Sequence, residues 1–186
     1  MNLILASASP RRRQLLSEAL PELEMTVEPA DIDERRFYKE PARDYVMRMA
    51  TRKAIHVAGK HPGGRRWILG ADTIVVHQDR ILGKPHNTEE ARQMLLLLSG
   101  DVHVVMTAVC LIKGEQMRTL VCETQVKFVR LSPEIIKSYI DSGEPMDKAG
   151  AYGIQGRAGA FVEWINGSYT NVVGLPLTQT VSLLME

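Results

Sequence analysis

Apolar and polar positions follow two different periods along the chain, which predicts strands and helices in turn. Short apolar runs, several rich in Ile and Val, predict strands at residues 3–6, 25–28, 67–77, 80–82, 102–113, 117–130 and 161–165. Helical spacing and capping residues predict helices at residues 10–20, 41–57, 88–99, 133–142 and 175–185, the third of them capped by Thr88. Five glycines and a proline make residues 143–159 look irregular. This alternation predicts an α/β fold with a mixed, elongated central sheet flanked by helices, whose strand order stays open.

Composition adds the size and class of the protein. With 186 residues, 45% of them hydrophobic and 24% charged, the chain suits one globular domain over residues 1–186, or one domain with two lobes. Its 23 basic and 22 acidic residues leave a net charge of +1, which argues against a general nucleic-acid binder.

The expected compartment is the cytoplasm. No stretch approaches the ~20 apolar residues of a membrane span, and the first charges follow the first apolar run, the reverse of a secretory signal. Cys110 and Cys122 lie in separate predicted strands, and we expect reduced, buried thiols rather than a disulfide.

Three consecutive arginines open the first predicted helix, where their charge opposes the helix dipole. Ser9 and Pro10 are a typical cap and first position for that helix. An anion bound by the backbone N–H groups, Ser7, Ser9 and the arginines would remove the conflict, so the pattern is compatible with a phosphate site. It is equally compatible with ordinary surface arginines at a solvated helix end. If the charges serve only a ligand, Arg11 and Arg12 should be dispensable for folding.

Carboxylates mark a second candidate site. Asp72 interrupts an apolar run, so it must be paired, bound to a metal or shifted in pKa, and Gly70 before it leaves room for something bulky. The cluster of Asp31, Asp33 and Glu34 could join Asp72 as oxygen ligands for Mg²⁺. A lone buried Asp is more often structural, and a short acidic turn is usually a solvated loop.

Further polar residues could complete a substrate site. Lys53, Lys84 and Lys148 could bind phosphates as point charges, although a single lysine is more often merely exposed. Gln155 could read a base edge through its amide. No Walker loop, Gly-x-Gly-x-x-Gly motif, Gly-x-Ser-x-Gly elbow or Cys/His zinc pattern occurs in the sequence, which disfavours those chemistries.

Six blocks stand out between Leu5 and Pro176, namely LASASPRRRQLL, GADTIVV, GKP, LSG, DKAGAYGIQG and INGSYTNVVGLP. In sequence and in order they resemble the signature blocks of the Maf family of nucleotide pyrophosphatases. The resemblance implies a fold related to the inosine triphosphate pyrophosphatases, with a cleft between two lobes. It also implies cleavage of a nucleoside triphosphate to a monophosphate and pyrophosphate.

The resemblance assigns roles to residues of this chain. Ser7, Arg11 and Arg12 match the phosphate-binding turn of the family. Glu34 and Asp72 match its acidic pair, which implies a divalent cation, Mg²⁺ first with Mn²⁺ or Co²⁺ as alternatives. Asp72 stands at the family's proton acceptor, and the sequence leaves open which carboxylate holds metal and which takes the proton.

Lys53 and Lys84 match the basic residues of the family, and Arg11, Thr73 and Gln155 stand where its branches differ. The block around Gln155 resembles the branch that acts on dTTP and UTP rather than 7-methyl-GTP. The resemblance thus implies a nucleotide-pool house-cleaning enzyme without a membrane or stable nucleic-acid partner. Modified pyrimidine triphosphates are further candidate substrates, and a homodimer is compatible with the resemblance. The rivals are a non-enzymatic nucleotide- or nucleic-acid-binding regulator of cell division and the same chemistry on 7-methyl-GTP or inosine triphosphate.

Overall fold

Strands and helices alternate along residues 2–185, the part of the chain that the computed structural model describes. The strands are Asn2–Ala6 (β1), Glu24–Val27 (β2), Trp67–His77 (β3), Arg80–Leu82 (β4), Val102–Lys113 (β5), Gln116–Phe128 (β6) and Val162–Asn166 (β7). The α-helices are Pro10–Ala19 (α1), Ala42–Ala58 (α2), Thr88–Leu98 (α3), Pro133–Asp141 (α4), Tyr169–Val173 (α5) and Leu177–Met185 (α6). None of the helices in this range is both long and apolar enough to cross a membrane.

The seven strands form one mixed sheet in the order β2-β1-β3-β5-β6-β7, with β4 paired to β3. The β1 strand pairs in parallel with both β2 and β3, whereas β4 pairs antiparallel with β3 and β7 antiparallel with β6. The predicted α/β class with a mixed sheet is therefore confirmed.

The chain divides into two compact units. The first holds the chain up to Thr73, residues 107–122 and the chain from Gly174 onward, and the second holds residues 74–106 and 123–173. The expectation of one domain with a cleft between two lobes stays a prediction.

In the first unit, α2 shows most clearly how the sequence pattern becomes a core. Its buried side chains, at the helical spacing seen in the sequence, are Val46, Met49, Ala50, Ala54 and Val57. Polar side chains outside this set, such as Arg48 and Arg52, are half-buried. The same helix thus presents an apolar face to the core and a polar face for other contacts.

The core of the second unit is built on aromatic rings. The Phe128 ring meets those of His103, Tyr152 and Phe161 edge to face, with centroids 4.8 to 6.0 Å apart. Pairs of this geometry each contribute about 0.5–1.5 kcal/mol beyond their buried area. Burial lowers the pKa of His103 to about 3, so this ring is neutral, and its Nε2 lies 2.7 Å from the Tyr152 hydroxyl.

Four local predictions need correction. Asn87, not Thr88, caps α3, because its extended backbone lets Oδ1 accept from the Glu90 N–H at 2.8 Å. The β6 strand ends at Phe128 rather than at residue 130, and α5 was not predicted. Residues 143–159 also contain short 3₁₀ helices at Glu144–Asp147, Ala149–Ala151 and, continuing to Phe161, Arg157–Phe161. Cys110 is a buried thiol as predicted, whereas Cys122 is only half-buried.

Candidate active site

Lys53 joins the two carboxylates that the sequence singled out. Its Nζ lies 2.7 Å from Asp72 Oδ1 and 2.7 Å from Glu34 Oε1. The lysine comes from α2, the aspartate from β3 and the glutamate from the loop before α2. The side chains of Lys53 and Asp72 are only 12% and 13% exposed, whereas that of Glu34 is 54% exposed. Lys53 therefore makes a buried ion pair with Asp72 and also contacts the accessible carboxylate of Glu34.

A glycine lets α2 reach β3 closely enough to make this pair. A Cβ on Gly70 would stand 2.2 Å from the Ala50 carbonyl oxygen and 2.7 Å from the Ala54 nitrogen. Any larger residue would push the helix away from the strand. The room that the sequence predicted beside Gly70 is thus filled by the backbone of α2, which carries Lys53.

Burial changes the acidity of Asp72. Loss of hydration raises the pKa of its carboxyl above the ordinary value of 3.8, while the positive charges of Lys53 and Arg12 oppose this shift. The sequence left three possibilities for this carboxylate, and the structure shows two of them together, a partner and a shifted pKa. A raised pKa makes a carboxylate a stronger base at neutral pH.

Arg12 lies inside the first unit rather than on its surface. Its Nε donates to the Gly174 carbonyl, one terminal nitrogen to Ser7 Oγ and the other to Thr73 Oγ1, each at 2.8 Å. Thr73 Oγ1 also lies 2.9 Å from Thr107 Oγ1. These bonds connect α1 to the residue that follows β1, to β3 and to the segment between α5 and α6.

These bonds count against the expectation that Arg12 is dispensable for folding, and they predict a structural role for it. A guanidinium has five N–H donors, and three of those on Arg12 are used within the protein. The other two remain compatible with a phosphate. Arg11, by contrast, is only half-buried at the start of α1.

The carboxylates of the acidic cluster do not all converge. Asp33 pairs with Arg35 at 2.7 Å, which holds the pKa of Asp33 well below its usual range, at about 2. Within residues 2–185, no group of three or more His, Cys, Asp or Glu side chains could hold a metal ion. Mg²⁺ often takes only one or two carboxylates and completes its shell with water and substrate phosphates. Glu34 and Asp72, which both contact the Lys53 ammonium, are a pair of carboxylates that suits this coordination of Mg²⁺.

Sequence reasoning missed the side chains that hold the loop carrying Glu34. The Tyr45 hydroxyl donates to the Glu34 carbonyl at 2.9 Å, and Arg52 donates to the Asp33 carbonyl at 3.0 Å. Burial and the charges of Asp72 and Glu34 raise the pKa of Tyr45 to about 12. The polar face of α2 was the signal that could have identified these residues.

Lys84 and Gln155 belong to the second unit and are both exposed. Lys84 follows β4, and the Gly83 carbonyl beside it accepts a hydrogen bond from the Gly150 N–H at 3.0 Å. This bond joins two of the blocks quoted above. Lys148 is paired with Asp147 at 2.6 Å, which favours a structural role.

Close contacts around two glycines define the turn that holds Gln155. A Cβ on Gly153 would stand 2.6 Å from the Lys148 side chain, and one on Gly156 would stand 1.7 Å from Glu144 Oε1. That Glu144 oxygen also accepts from the Arg157 N–H at 3.0 Å.

An α/β protein that gathers acidic and basic side chains in this way has a site suited to a phosphate-bearing substrate. The family model described as Maf-like protein matches residues 2–186. The chain therefore belongs to the Maf-like family, as the sequence blocks predicted.

Named relatives match the chain over nearly its full length. A protein of Thermococcus onnurineus named dTTP/UTP pyrophosphatase is 52% identical over 176 residues, covering 94% of this chain and 92% of the relative. Proteins with the same name from Pyrococcus horikoshii and Shewanella sp. are each 48% identical, covering 98% and 100% of this chain and 95% and 98% of their own.

Solved structures support the fold. The Staphylococcus aureus Ham1 protein aligns over 100% of both chains with a TM-score of 0.55 and 9% identity. A HAM1 protein from Coxiella burnetii aligns over 100% of this chain and 98% of its own, with a TM-score of 0.53 and 16% identity. At these identities the likeness shows the fold alone.

Proposed function

We propose that this protein is a nucleoside triphosphate pyrophosphatase that hydrolyses dTTP and UTP to the monophosphate and pyrophosphate. Membership of the Maf-like family supports this proposal, as do relatives named dTTP/UTP pyrophosphatase at 48% and 52% identity over nearly the whole chain. A nucleotide-pool house-cleaning role follows from such an activity. The single observation that carries the proposal is the Lys53 bridge between Asp72 and Glu34.

The reaction is attack of a water oxygen on the α-phosphorus, which breaks its bond to the oxygen bridging the α- and β-phosphates. Asp72 accepts the proton of that water, since burial raises its pKa and makes it a stronger base. Lys53 orients the Asp72 carboxylate. Arg11 and Arg12 stabilise the charge that develops on the departing pyrophosphate. The basic role that the resemblance implies for Lys84 stays a prediction.

A divalent cation is part of this proposal. Glu34 and Asp72 would hold it, and when bound it neutralises phosphate charge and favours ionisation of a bound water. Mg²⁺ is the first choice for an oxygen donor set, with Mn²⁺ and Co²⁺ as alternatives. Binding of the divalent cation to wild type and to the Glu34→Gln variant can be measured by titration calorimetry.

Base choice is assigned to the turn that carries Gln155. An amide can donate to one carbonyl of thymine or uracil and accept from N3–H. A base that leaves these groups unpaired would be rejected strongly. Thr73 was predicted to help in this choice, but its hydroxyl already contacts Arg12 and Thr107. We therefore propose that Thr73 influences base choice indirectly, through its hydrogen bond with Arg12.

Pyrophosphate release from a panel of triphosphates tests the proposal. The panel contains dTTP, UTP, CTP, GTP, inosine triphosphate and 7-methyl-GTP, each with Mg²⁺, and Asp72→Asn is the matched inactive control. We expect kcat/KM to be highest for dTTP and UTP. No turnover of any triphosphate would refute the enzyme, and a higher value for 7-methyl-GTP would refute the assigned substrates.

The non-enzymatic regulator is not favoured, because binding alone does not require the acidic pair beside the basic residues. A homodimer, the lack of a stable nucleic-acid partner and a cytoplasmic location remain predictions. Light scattering of the purified protein would test the homodimer.

A further inference from the structure

Glu34 sits in a segment without regular structure, although the proposed chemistry needs it in one place. Residues 31–40, called here the Glu34 loop, form neither helix nor strand. The Lys53–Glu34 contact involves a half-exposed carboxylate, and such ion pairs contribute little to ordering. Other contacts must therefore hold the loop.

Three consecutive carbonyls of the loop are bound by side chains of α2. Tyr45 donates to the Glu34 carbonyl at 2.9 Å, Arg48 to that of Arg35 at 3.1 Å and Arg52 to that of Asp33 at 3.0 Å. The donors are three and four residues apart, so they lie on one face of the helix. Lys53 belongs to the same helix, which ties the lysine and the loop to one rigid element.

A nearly buried ion pair closes the far end of the loop. Arg48 binds both oxygens of Glu40 in a two-point fork, at 2.6 and 2.7 Å. Their side chains are 18% and 9% exposed. The Arg48 guanidinium also lies 3.9 Å from the centre of the Phe37 ring, and the Phe37 N–H donates to Glu40 at 3.1 Å. The loop thus folds over Arg48.

We propose that Tyr45, Arg48 and Arg52 are positioning residues that hold Glu34 against Lys53 before substrate binds. The proposal rests on the proposed function, because it assigns these residues to the pyrophosphatase reaction. A carboxylate fixed in advance does not have to be ordered during the reaction, and small misplacements of a reacting group are costly.

Steady-state kinetics with dTTP tests the proposal on two variants. Tyr45→Phe removes one hydroxyl and should lower kcat about fivefold, the value of one hydrogen bond. Arg48→Met should lower kcat on the order of 100-fold, because the whole loop is released. KM should stay within about threefold for both variants, since phosphate binding is assigned to Ser7, Arg11 and Arg12, which lie outside the Glu34 loop.

Matched controls separate positioning from general damage. Arg92 makes a comparable two-point contact with Glu89 on the exposed face of α3, at 2.8 and 2.9 Å, so Arg92→Met should leave kcat unchanged. Tyr38 lies in the loop itself but is 90% exposed, and Tyr38→Phe should also be silent. Wild-type kcat in both Tyr45→Phe and Arg48→Met would overturn the proposal.

A double variant tests whether Arg48 acts through Glu34. Adding Arg48→Met to Glu34→Gln should cause no further fall in kcat, because the carboxylate being positioned is already gone. A second 100-fold fall would show a general structural role and overturn the proposal. If Arg48→Met does not fold, Tyr45→Phe in the same Glu34→Gln background decides.

Limited proteolysis gives a readout that needs no substrate. Arg35, Arg36 and Lys39 are trypsin sites within the Glu34 loop, and release of the loop should speed cleavage there at least tenfold in Arg48→Met, with Arg92→Met cleaved at the wild-type rate. An unchanged cleavage rate would overturn the proposal. If wild type released no pyrophosphate, the proposed function would fail while this experiment still decided whether α2 holds the loop.

Discussion

Replacing Arg12 with alanine should destabilise the folded protein even without substrate. The variant loses three hydrogen bonds of 2.8 Å from a buried guanidinium and leaves the Gly174 carbonyl, Ser7 and Thr73 without that partner. Hydrogen bonds that involve a charged group contribute about 1.5–3 kcal/mol each. Part of this sum is offset, because burial of the guanidinium costs hydration and lowers its pKa.

We expect a net loss of about 3 kcal/mol in the free energy of unfolding, within the range for breaking a buried polar network. For a chain of this size, each kcal/mol lowers Tm by about 2–4 °C, so Tm should fall by about 6–12 °C. Arg12→Lys keeps the charge, but one ammonium cannot serve the three acceptors as the planar fork does. The loss in the free energy of unfolding should therefore be smaller for Arg12→Lys than for Arg12→Ala, but not zero.

Thermal unfolding without nucleotide is the assay, and Arg13→Ala is the control. Arg13 is the next residue on α1 and is exposed. Its removal should change Tm by about 1 °C or less, as is usual for surface substitutions. A Tm of Arg12→Ala within about 2 °C of that of Arg13→Ala would refute the structural role of Arg12 and restore the view that its charge serves only the ligand.

Three further predictions concern the reaction itself. Asp72→Asn should nearly abolish pyrophosphate release, because an amide accepts no proton at neutral pH, while the circular dichroism spectrum stays that of wild type; activity within a few-fold of wild type would remove Asp72 from catalysis. Lys53→Met should move the acid limb of the pH profile of kcat/KM to higher pH, since the lysine charge lowers the pKa of Asp72. An unmoved limb would show that Lys53 does not influence the group that titrates there. Gln155→Ala should lower kcat/KM for dTTP more than that for CTP, and unchanged ratios between the two substrates would show that the amide does not read the base.

The local features of the fold could be predicted because neighbouring residues cause them. Ser9 and Pro10 start α1 where the capping pattern places it, and the apolar spacing of α2 identifies its buried face. Asn87 was missed as the cap of α3 because Thr88 beside it is also a capping residue, and only the backbone conformation shows which of the two caps the helix. The turn around Gln155 was predicted only as irregular because contacts of Glu144 and Lys148 shape it.

The sequence by itself determined that Asp72 must be paired, bound to a metal or shifted in pKa, because a carboxylate in an apolar run cannot stay there unpaired and ionised. It could neither choose among these possibilities nor name a partner. Lys53 lies 19 residues away, and it reaches Asp72 only because α2 packs on β3 at Gly70. In the same way, the sequence marked Arg12 as unusual, but the tertiary structure made it structural, through a hydrogen bond to Gly174, 162 residues later. Side-chain chemistry states what a residue requires, and the packing of distant segments decides which groups meet that requirement.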